Sequence, residues 1–371
     1  MEKKHYRFET AAYSYFLMTN YSEQKERFLA GEISNPRFKY PERFSQEVVI
    51  DRLLKVAGDR VASRSLQFVG LACAFQKNDR LLTQFRRANA SLFGEPEPKY
   101  YNKILARYAR NGTIARLAER SDNVVFRGMI EHGLELKTEA IVDDEVYRRY
   151  RRYFKRYFGE IKPMDNIQDA MKQIFRLSGL KERGWELVSG DDVIRARTIS
   201  RRKVIVFNRN QRARQNVTDY NSVALHEIFG HALRDTGSDG KYSLAESEGW
   251  AVLLEQLYEE RFRFRRTYRY LAATLAWGCL GEMLDFRCTY EAMWRLMSLS
   301  ERYGEADAKN HAFDEVSRIF RGGRPDLPGA VFLKDTAYLR GNMDIWRYLS
   351  KSPLVYEDFV DILEGRKNIL K

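Results

Sequence analysis

The sequence predicts an α+β protein that is mainly helical, with a small antiparallel sheet beside one central helix and a helical N-terminal part. Three observations support this prediction. Apolar residues recur three or four positions apart in many segments of the 371-residue chain, which is typical of amphipathic helices. Residues 185–190 and 194–208 instead alternate or are rich in β-branched side chains, as strands are. A content of 44% hydrophobic and 13% aromatic residues fits a folded globular protein.

Residues 1–160 form the predicted helical N-terminal region. Helices are expected in the segments 1–30, 44–58, 59–74, 78–93 and 100–119. Prolines in residues 35–41 and 94–98 mark the main breaks. Residues 146–160 interleave arginines with aromatics mostly three or four positions apart, which indicates a helix with a buried aromatic face and a solvated basic face. Stacking of these side chains on nucleic acid is the less favoured interpretation, and residues 261–270 are interpreted in the same way.

Residues 161–371 form the second predicted region, although the boundary is soft and the chain could be one compact unit. A helix is expected over residues 165–180, ending near Gly179, and the two strand segments follow it. The later helices are expected in the segments 217–235, 244–270, 271–300 and 305–321.

Charge and cysteine content narrow the class of protein. The net charge of +13 favours acidic partners, whether peptide, nucleic acid or anionic membrane, without choosing among them. The three cysteines form no C-x-x-C pair, so no disulfide scaffold is expected. The first twenty residues lack the apolar core of a signal peptide, and no uncharged apolar run is long enough to span a bilayer. We therefore expect a soluble, cytoplasmic protein with no membrane partner.

The central helix carries the motif ALHEIFGHALRD, residues 224–235. His226 and His231 flank Glu227, the arrangement in which zinc hydrolases bind metal through two imidazoles and use the glutamate on the bound water. Two of the chain's five histidines fall here, which favours a metal site over a solvent-facing pair on an ordinary helix. Positions five apart on a regular helix are about 140° apart. The two rings therefore share a face only if the helix contains a π-bulge, which Gly230 would make sterically easy.

A catalytic zinc site needs a third protein ligand, and LAESEGWAVLLE (residues 244–255) offers Glu246 and Glu248. These two positions are about 200° apart on a helix, so only one can face the metal, and spacing does not choose between them. Just ahead of the motif helix, KVIVFN (residues 203–208) lies where zinc peptidases commonly hold an extended substrate along a sheet edge.

HEIFGHALR followed by SEGWA resembles the motif pair of the tyrosine/phenylalanine carboxypeptidase family. That family includes the microtubule-associated tyrosine carboxypeptidases and bacterial proteins named for a QEGLA motif. Weaker matches are NPRFKY near the start, the RGGRP loop, and FLKDTAYLRG at 332–341. Ser247 and Trp250 depart from the family pattern, which has Gln or Glu and then Leu, and they bear on the pocket more than on metal binding. The form H-E-x-x-G-H also occurs in dipeptidyl peptidase III, but nothing outside the zinc helix matches that family.

The resemblance implies a zincin-like zinc metallocarboxypeptidase that removes a C-terminal residue, Tyr or Phe, from a peptide or protein. It implies one Zn²⁺ per chain, held by His226, His231 and Glu248. Glu227 would be the catalytic base, and Tyr338 is a candidate oxyanion donor. Such an enzyme must bind a free carboxylate, which basic side chains do well. The candidates for this substrate-binding role are Arg234, Arg318, Arg321 and Lys334.

Two alternatives stay open. The first is a zinc peptidase of another specificity, such as an aminopeptidase or a dipeptidyl peptidase. The second is a basic, non-catalytic regulatory or nucleic-acid-binding protein. Glu227 argues against the second, because a structural zinc site needs no base, so a nucleic-acid partner is not expected. The positive charge predicts a preference for acidic peptides.

Overall fold

The computed structural model divides the chain into two compact units. The first unit combines Met1–Glu139 with Arg266–Thr336, and the second combines Ala140–Arg265 with Ala337–Lys371. The structure describes residues 18, 20–39, 142, 144–190, 196–209, 220–237, 242–259, 267–277, 283–298, 303–320, 325–331 and 333–369. The four helices predicted between residues 44 and 119 lie outside this set. The predicted division near residue 160 stays a prediction.

The described parts of the chain are mainly helical, with one small sheet. In chain order the α-helices are α1 (Tyr21–Leu29), α2 (Asp144–Phe158), α3 (Ile167–Ser178), α4 (Asn221–Glu227), α5 (Leu233–Gly237), α6 (Leu244–Tyr258), α7 (Thr267–Ala276), α8 (Phe286–Ser298), α9 (Glu305–Ile319), α10 (Thr336–Lys351) and α11 (Tyr356–Leu363). The strands are β1 (Glu186–Ser189), β2 (Ala196–Ile199) and β3 (Val204–Phe207). Among the described residues, no helix is both long enough and apolar enough to cross a membrane.

The first unit packs α1 against α8 and α9 through aromatic rings. Phe28 lies with its ring centroid 5.3 Å from that of Phe286 and 5.3 Å from that of Phe313. The single helix predicted over residues 271–300 is wrong, because α7 ends at Ala276 and α8 begins only at Phe286. Asp285 accounts for the new start, since its carboxylate accepts a hydrogen bond from the backbone N–H of Cys288 in the first turn of α8.

Helix α2 of the second unit confirms the interpretation of the arginine- and aromatic-rich segment. Its aromatic side chains at Tyr147, Tyr150, Phe154 and Phe158 are buried. Arg148, Arg152, Lys155 and Arg156 are exposed on the other side of the helix. Of residues 261–270, which were interpreted in the same way, 261–266 lie outside the described residues. The last four begin α7, where Tyr270 is buried.

Helix α3 also ends where the sequence predicts. Gly179 follows its last residue in the left-handed conformation, with φ of 62°, which glycine adopts without steric cost. At the other end the Asn166 side chain accepts a hydrogen bond from the backbone N–H of Asp169. Capping residues at both ends thus fix the extent of the helix.

The sheet is mixed, which corrects the prediction of an antiparallel sheet. Its strand order is β1–β3–β2, with β3 antiparallel to β2 and parallel to β1. The short turn Ser200–Arg202 followed by Lys203, at φ 51°, joins β2 to β3 as a hairpin. Because β2 takes one side of β3, β1 pairs on the other side, where it runs parallel to β3. The strand order makes β3, which lies within the segment KVIVFN, the central strand of this sheet, and β2 is one of the edges within the described residues. The four residues of β3 are all buried.

Candidate metal and catalytic site

The motif helix contains the predicted π-bulge. Helix α4 continues into a π-helical turn, Ile228–Ala232, and then into α5. The wider turn brings the two motif histidines onto one face, with ring centroids 5.0 Å apart and Nε2 atoms 3.3 Å apart. The five-residue spacing of His226 and His231 is thereby converted into a convergent pair.

Gly230 is required for a different reason from the one predicted. Its φ is not positive, so the bulge itself does not demand glycine. An added Cβ would instead lie 2.5 Å from Cβ and 2.8 Å from Cα of Ala251 on α6. Carbon atoms pack at about 3.5–4.0 Å. The absence of a side chain therefore lets α6 approach the bulge closely.

The close crossing of α6 places Glu248 beside both histidines. Its Oε2 lies 3.6 Å from Nε2 of His226 and 3.5 Å from Nε2 of His231. Tetrahedral zinc with bonds of 2.0–2.1 Å spans about 3.3 Å between neighbouring ligand atoms. The three side chains therefore form one face of a tetrahedron of the right size, and they are the one group in the described residues with metal-ligand geometry.

Glu246 faces away from the histidines. Its Oε1 lies 3.0 Å from Nη2 of Arg234 and accepts a hydrogen bond from the backbone N–H of Ile369. The two glutamates that the sequence left open thus point in different directions, as positions about 200° apart on a helix should. Glu248 is the one that meets the histidines.

Two further side chains contact the distal nitrogens of the imidazoles. The sequence analysis did not name Glu255, and it related Ser247 to the pocket more than to metal binding. The carboxylate of Glu255 lies 2.6 Å from Nδ1 of His226, and the hydroxyl of Ser247 lies 2.9 Å from Nδ1 of His231. A partner on the distal nitrogen sets the tautomer and ring orientation of a metal-binding histidine. Glu255 had a signal in the sequence, because it follows Glu248 by seven residues, two helical turns, inside an apolar run.

The surroundings of His226 make it basic when no metal is bound. Burial by itself lowers the pKa of His226, but the negative charges of Glu255, Glu248 and Glu227 raise it to about 9. A pocket that attracts a proton this strongly also attracts a cation. Metal binding by the His226 ring requires loss of that proton.

Glu227 follows the first histidine and is held by the sheet. The hydroxyl of Thr198 on β2 lies 2.9 Å from Oε2 and 2.8 Å from the backbone oxygen of Glu227. Glu227 as a residue is partly exposed. Its place directly after His226 fits the role of a base acting beside the metal ligands.

Tyr338 lies over the first histidine. Its ring is nearly parallel to that of His226, at 22°, with the centroids 6.3 Å apart. Helix α10, which carries Tyr338, crosses α6 at two glycines, since an added Cβ on Gly249 would lie 2.2 Å from the carbonyl carbon of Gly341. The Asn342 side chain also donates a hydrogen bond to the backbone oxygen of Gly249. These contacts place the tyrosine next to the candidate metal ligands.

Arg234 is only 1% exposed and lies in a buried cluster. Its guanidinium pairs with Glu246 and lies 3.8 Å from the ring centroid of Tyr242 and 5.5 Å from that of Trp250. Burial lowers the pKa of Arg234, while Tyr242 and Glu246 oppose that effect. These contacts favour a structural role in joining α5 to α6, so we leave Arg234 out of the carboxylate site proposed below.

The remaining candidates for carboxylate binding belong to the first unit. Arg318 pairs through Nε with the buried carboxylate of Asp335, 3.1 Å away, and Nε of Arg269 lies 3.9 Å from the same oxygen. Lys334 lies in the short 3₁₀ helix Leu333–Asp335. Arg321 lies outside the described residues. Their substrate-binding role stays a prediction.

Comparison with known proteins identifies the family of the chain. A family model described as microtubule-associated tyrosine carboxypeptidase matches residues 163–358, more than half of the chain. The matched segment includes both motif helices and Tyr338. Comparison with curated proteins and with solved structures gives no match.

Proposed function

Because the chain belongs to the microtubule-associated tyrosine carboxypeptidase family, we propose that it is a zinc-dependent, zincin-like carboxypeptidase. The proposed reaction removes one C-terminal residue, Tyr or Phe, from a peptide or protein. The observation that carries the proposal is the convergence of His226, His231 and Glu248 to mutual distances of 3.3–3.6 Å, with Glu227 beside them.

One zinc ion per chain would be held by the two histidines and Glu248. Zinc in such a site acts as a Lewis acid and lowers the pKa of a bound water to about 7. Glu227 then takes the proton of the attacking water and passes it to the leaving amine. Glu255 and Ser247 keep the Nε2 atoms of both histidines directed at the shared centre by holding their Nδ1 atoms.

Tyr338 has the chemistry of an oxyanion donor. A phenol hydroxyl can donate a hydrogen bond to the carbonyl oxygen as negative charge develops on it. The position of its ring over His226 supports this assignment. For the terminal carboxylate we keep Arg318, Arg321 and Lys334 as proposed partners, because a guanidinium or ammonium group recognises a carboxylate by charge and hydrogen bonding.

The test combines metal analysis with product analysis. The purified protein should contain about one zinc per chain, and replacing both His226 and His231 by Ala should remove it. Peptides ending in Tyr, Phe, Leu, Ala or Lys, each with a free and an amidated C-terminus, are then digested and examined by mass spectrometry. Free Tyr and Phe ends should be cut first and amidated ends spared, because an aromatic ring gains more apolar burial than alanine does.

Glu227→Gln is the matched control for this experiment. It keeps the shape of the side chain while removing the base, so zinc should stay and turnover should collapse by at least about 100-fold. Loss of the metal together with activity would contradict the role of Glu227 as base. Equal cleavage of amidated and free peptides would refute the carboxypeptidase proposal and favour another zinc peptidase. Salt-sensitive binding of DNA or RNA without peptidase activity would favour the non-catalytic alternative.

A further inference from the structure

We infer that Thr198 is a positioning residue that holds the carboxylate of the base Glu227 through its hydroxyl. This inference rests on the proposed function. Thr198 lies 29 positions before Glu227 in the chain, in the middle of strand β2. Neither the zinc motif nor the SEGWA motif points to it.

The hydroxyl of Thr198 contacts two acceptors on the same residue. Oγ1 lies 2.9 Å from the side-chain Oε2 of Glu227 and 2.8 Å from its backbone oxygen. A hydroxyl carries a single proton, so the two acceptors share it or use it alternately. Either way, one threonine atom couples the side chain and the backbone of Glu227.

The strand gives this hydroxyl a fixed position. Threonine is β-branched, so its side chain has few rotamers and the strand backbone largely determines where Oγ1 lies. Strand β2 pairs with β3, whose four residues are all buried, and Thr198 is directly opposite Ile205. A carboxylate base on a helix would otherwise be free to rotate about its last torsion angles. Holding it within reach of the water is the kind of constraint whose loss lowers the rate without weakening substrate binding.

Thr198→Val and Thr198→Ser separate the hydroxyl from the shape of the side chain. Valine keeps the branched shape but cannot donate, so kcat should fall roughly 10–100-fold, the effect typical of losing an outer hydrogen-bond partner. KM should stay within about twofold, and zinc content should stay at the wild-type value. Serine restores the donor, so kcat should stay within about threefold of wild type.

A matched control comes from the first unit, where the Thr274 hydroxyl donates only within its own helix, to the backbone oxygen of Tyr270 at 2.8 Å. Thr274→Val removes a buried hydrogen bond of the same length far along the chain from Glu227, and it should leave kcat unchanged. The decisive measurement is the double variant Thr198→Val with Glu227→Gln. If Thr198 acts through the base, valine should cost less than about twofold in the Glu227→Gln background.

Three results would overturn the inference. The first is that Thr198→Val retains wild-type kcat, and the second is that Thr198→Ser loses kcat as valine does. The third is that Thr198→Val lowers kcat by the same factor in the Glu227→Gln background as in the wild type. Loss of zinc or of melting temperature in Thr198→Val, with kcat per zinc-loaded molecule unchanged, would also overturn it in favour of a merely structural role. If the wild-type protein cleaves none of the peptides, the proposed function fails and this inference fails with it. If the wild-type protein is active and Thr198→Val is equally active, only this inference fails.

Discussion

Replacing Gly230 by alanine should damage the proposed metal site without changing a proposed ligand. The new Cβ would lie 2.5 Å from Cβ and 2.8 Å from Cα of Ala251. Carbon atoms pack at about 3.5–4.0 Å, so the motif helix and α6 must separate by about 1 Å. Overpacking of this kind usually costs ~1–3 kcal/mol in the free energy of unfolding.

The same displacement acts on the ligands, because His231 follows Gly230 and Glu248 lies one turn before Ala251. Opening the 3.5 Å distance between His231 Nε2 and Glu248 Oε2 by this amount gives about 4.5 Å, against about 3.3 Å for a tetrahedral zinc site. We therefore expect Gly230→Ala to weaken zinc binding at least roughly tenfold, the lower end of the effect of losing a supporting contact.

Zinc affinity is measured by competition with a chromogenic chelator, and the melting temperature is measured in parallel. The melting temperature of Gly230→Ala should fall by at least about 2 °C. Gly304→Ala is the control, because an added Cβ there meets nothing within 4 Å and φ is −67°. Combining Ala251→Gly with Gly230→Ala removes the 2.5 Å contact between the two Cβ atoms but leaves the Cα of residue 251 at 2.8 Å from the new Cβ. The double variant should therefore regain part of the zinc affinity. Wild-type affinity and melting temperature in Gly230→Ala would refute the close-crossing argument.

Two more predictions follow from single contacts. Glu248→Ala should weaken zinc binding strongly. Glu246→Gln, which retains an acceptor for Arg234, should leave zinc affinity unchanged while lowering the melting temperature. The reverse pattern in the chelator competition would overturn the ligand assignment. Burial of the Cys288 thiol and, to a smaller extent, the negative charge of Asp285 raise the pKa of this thiol to about 11. Below that pH a smaller fraction of Cys288 is thiolate than in a cysteine with an ordinary pKa. The alkylation rate of Cys288, measured by peptide-resolved mass spectrometry, should rise roughly tenfold per pH unit up to about pH 11. The rate should be higher in Asp285→Asn. A rate that stops rising near pH 9 would contradict the prediction.

Features that depend on neighbouring positions in the chain were predictable from the sequence. The aromatic spacing in α2 indicated its buried face, and Gly179 marked the end of α3. The five-residue histidine spacing required a π-bulge, which the structure contains. In each case the relevant geometry is set by helical periodicity or by a local backbone conformation. The family resemblance added the choice of Glu248 over Glu246, which spacing alone could not make.

Features that depend on distant pairing were not predictable. The strand pattern of β1 indicates neither which strand it pairs with nor in which direction, and in the structure β1 runs parallel to β3. Thr198 is an ordinary strand residue until the fold brings it 2.9 Å from Glu227. Arg234 was one of the candidates for binding the terminal carboxylate, because a basic side chain recognises a carboxylate well. Its burial against Glu246 is a property of the packed helices that its sequence position does not reveal.

Gly249 and Gly341 show that residues without a reactive side chain also shape the proposed site. Gly249 follows the proposed ligand Glu248, and Gly341 lies three residues after Tyr338, the proposed oxyanion donor, so each glycine is close in sequence to a side chain of the proposed site. An added Cβ on Gly341 would lie 1.7 Å from the backbone oxygen of Ala245, which no rotamer change could relieve. The absence of two side chains thus allows α10 to contact α6 closely enough for the Tyr338 ring to lie over His226. The place of the Tyr338 ring is therefore set by backbone contact between α6 and α10, because a methyl group on either glycine would force these two helices apart.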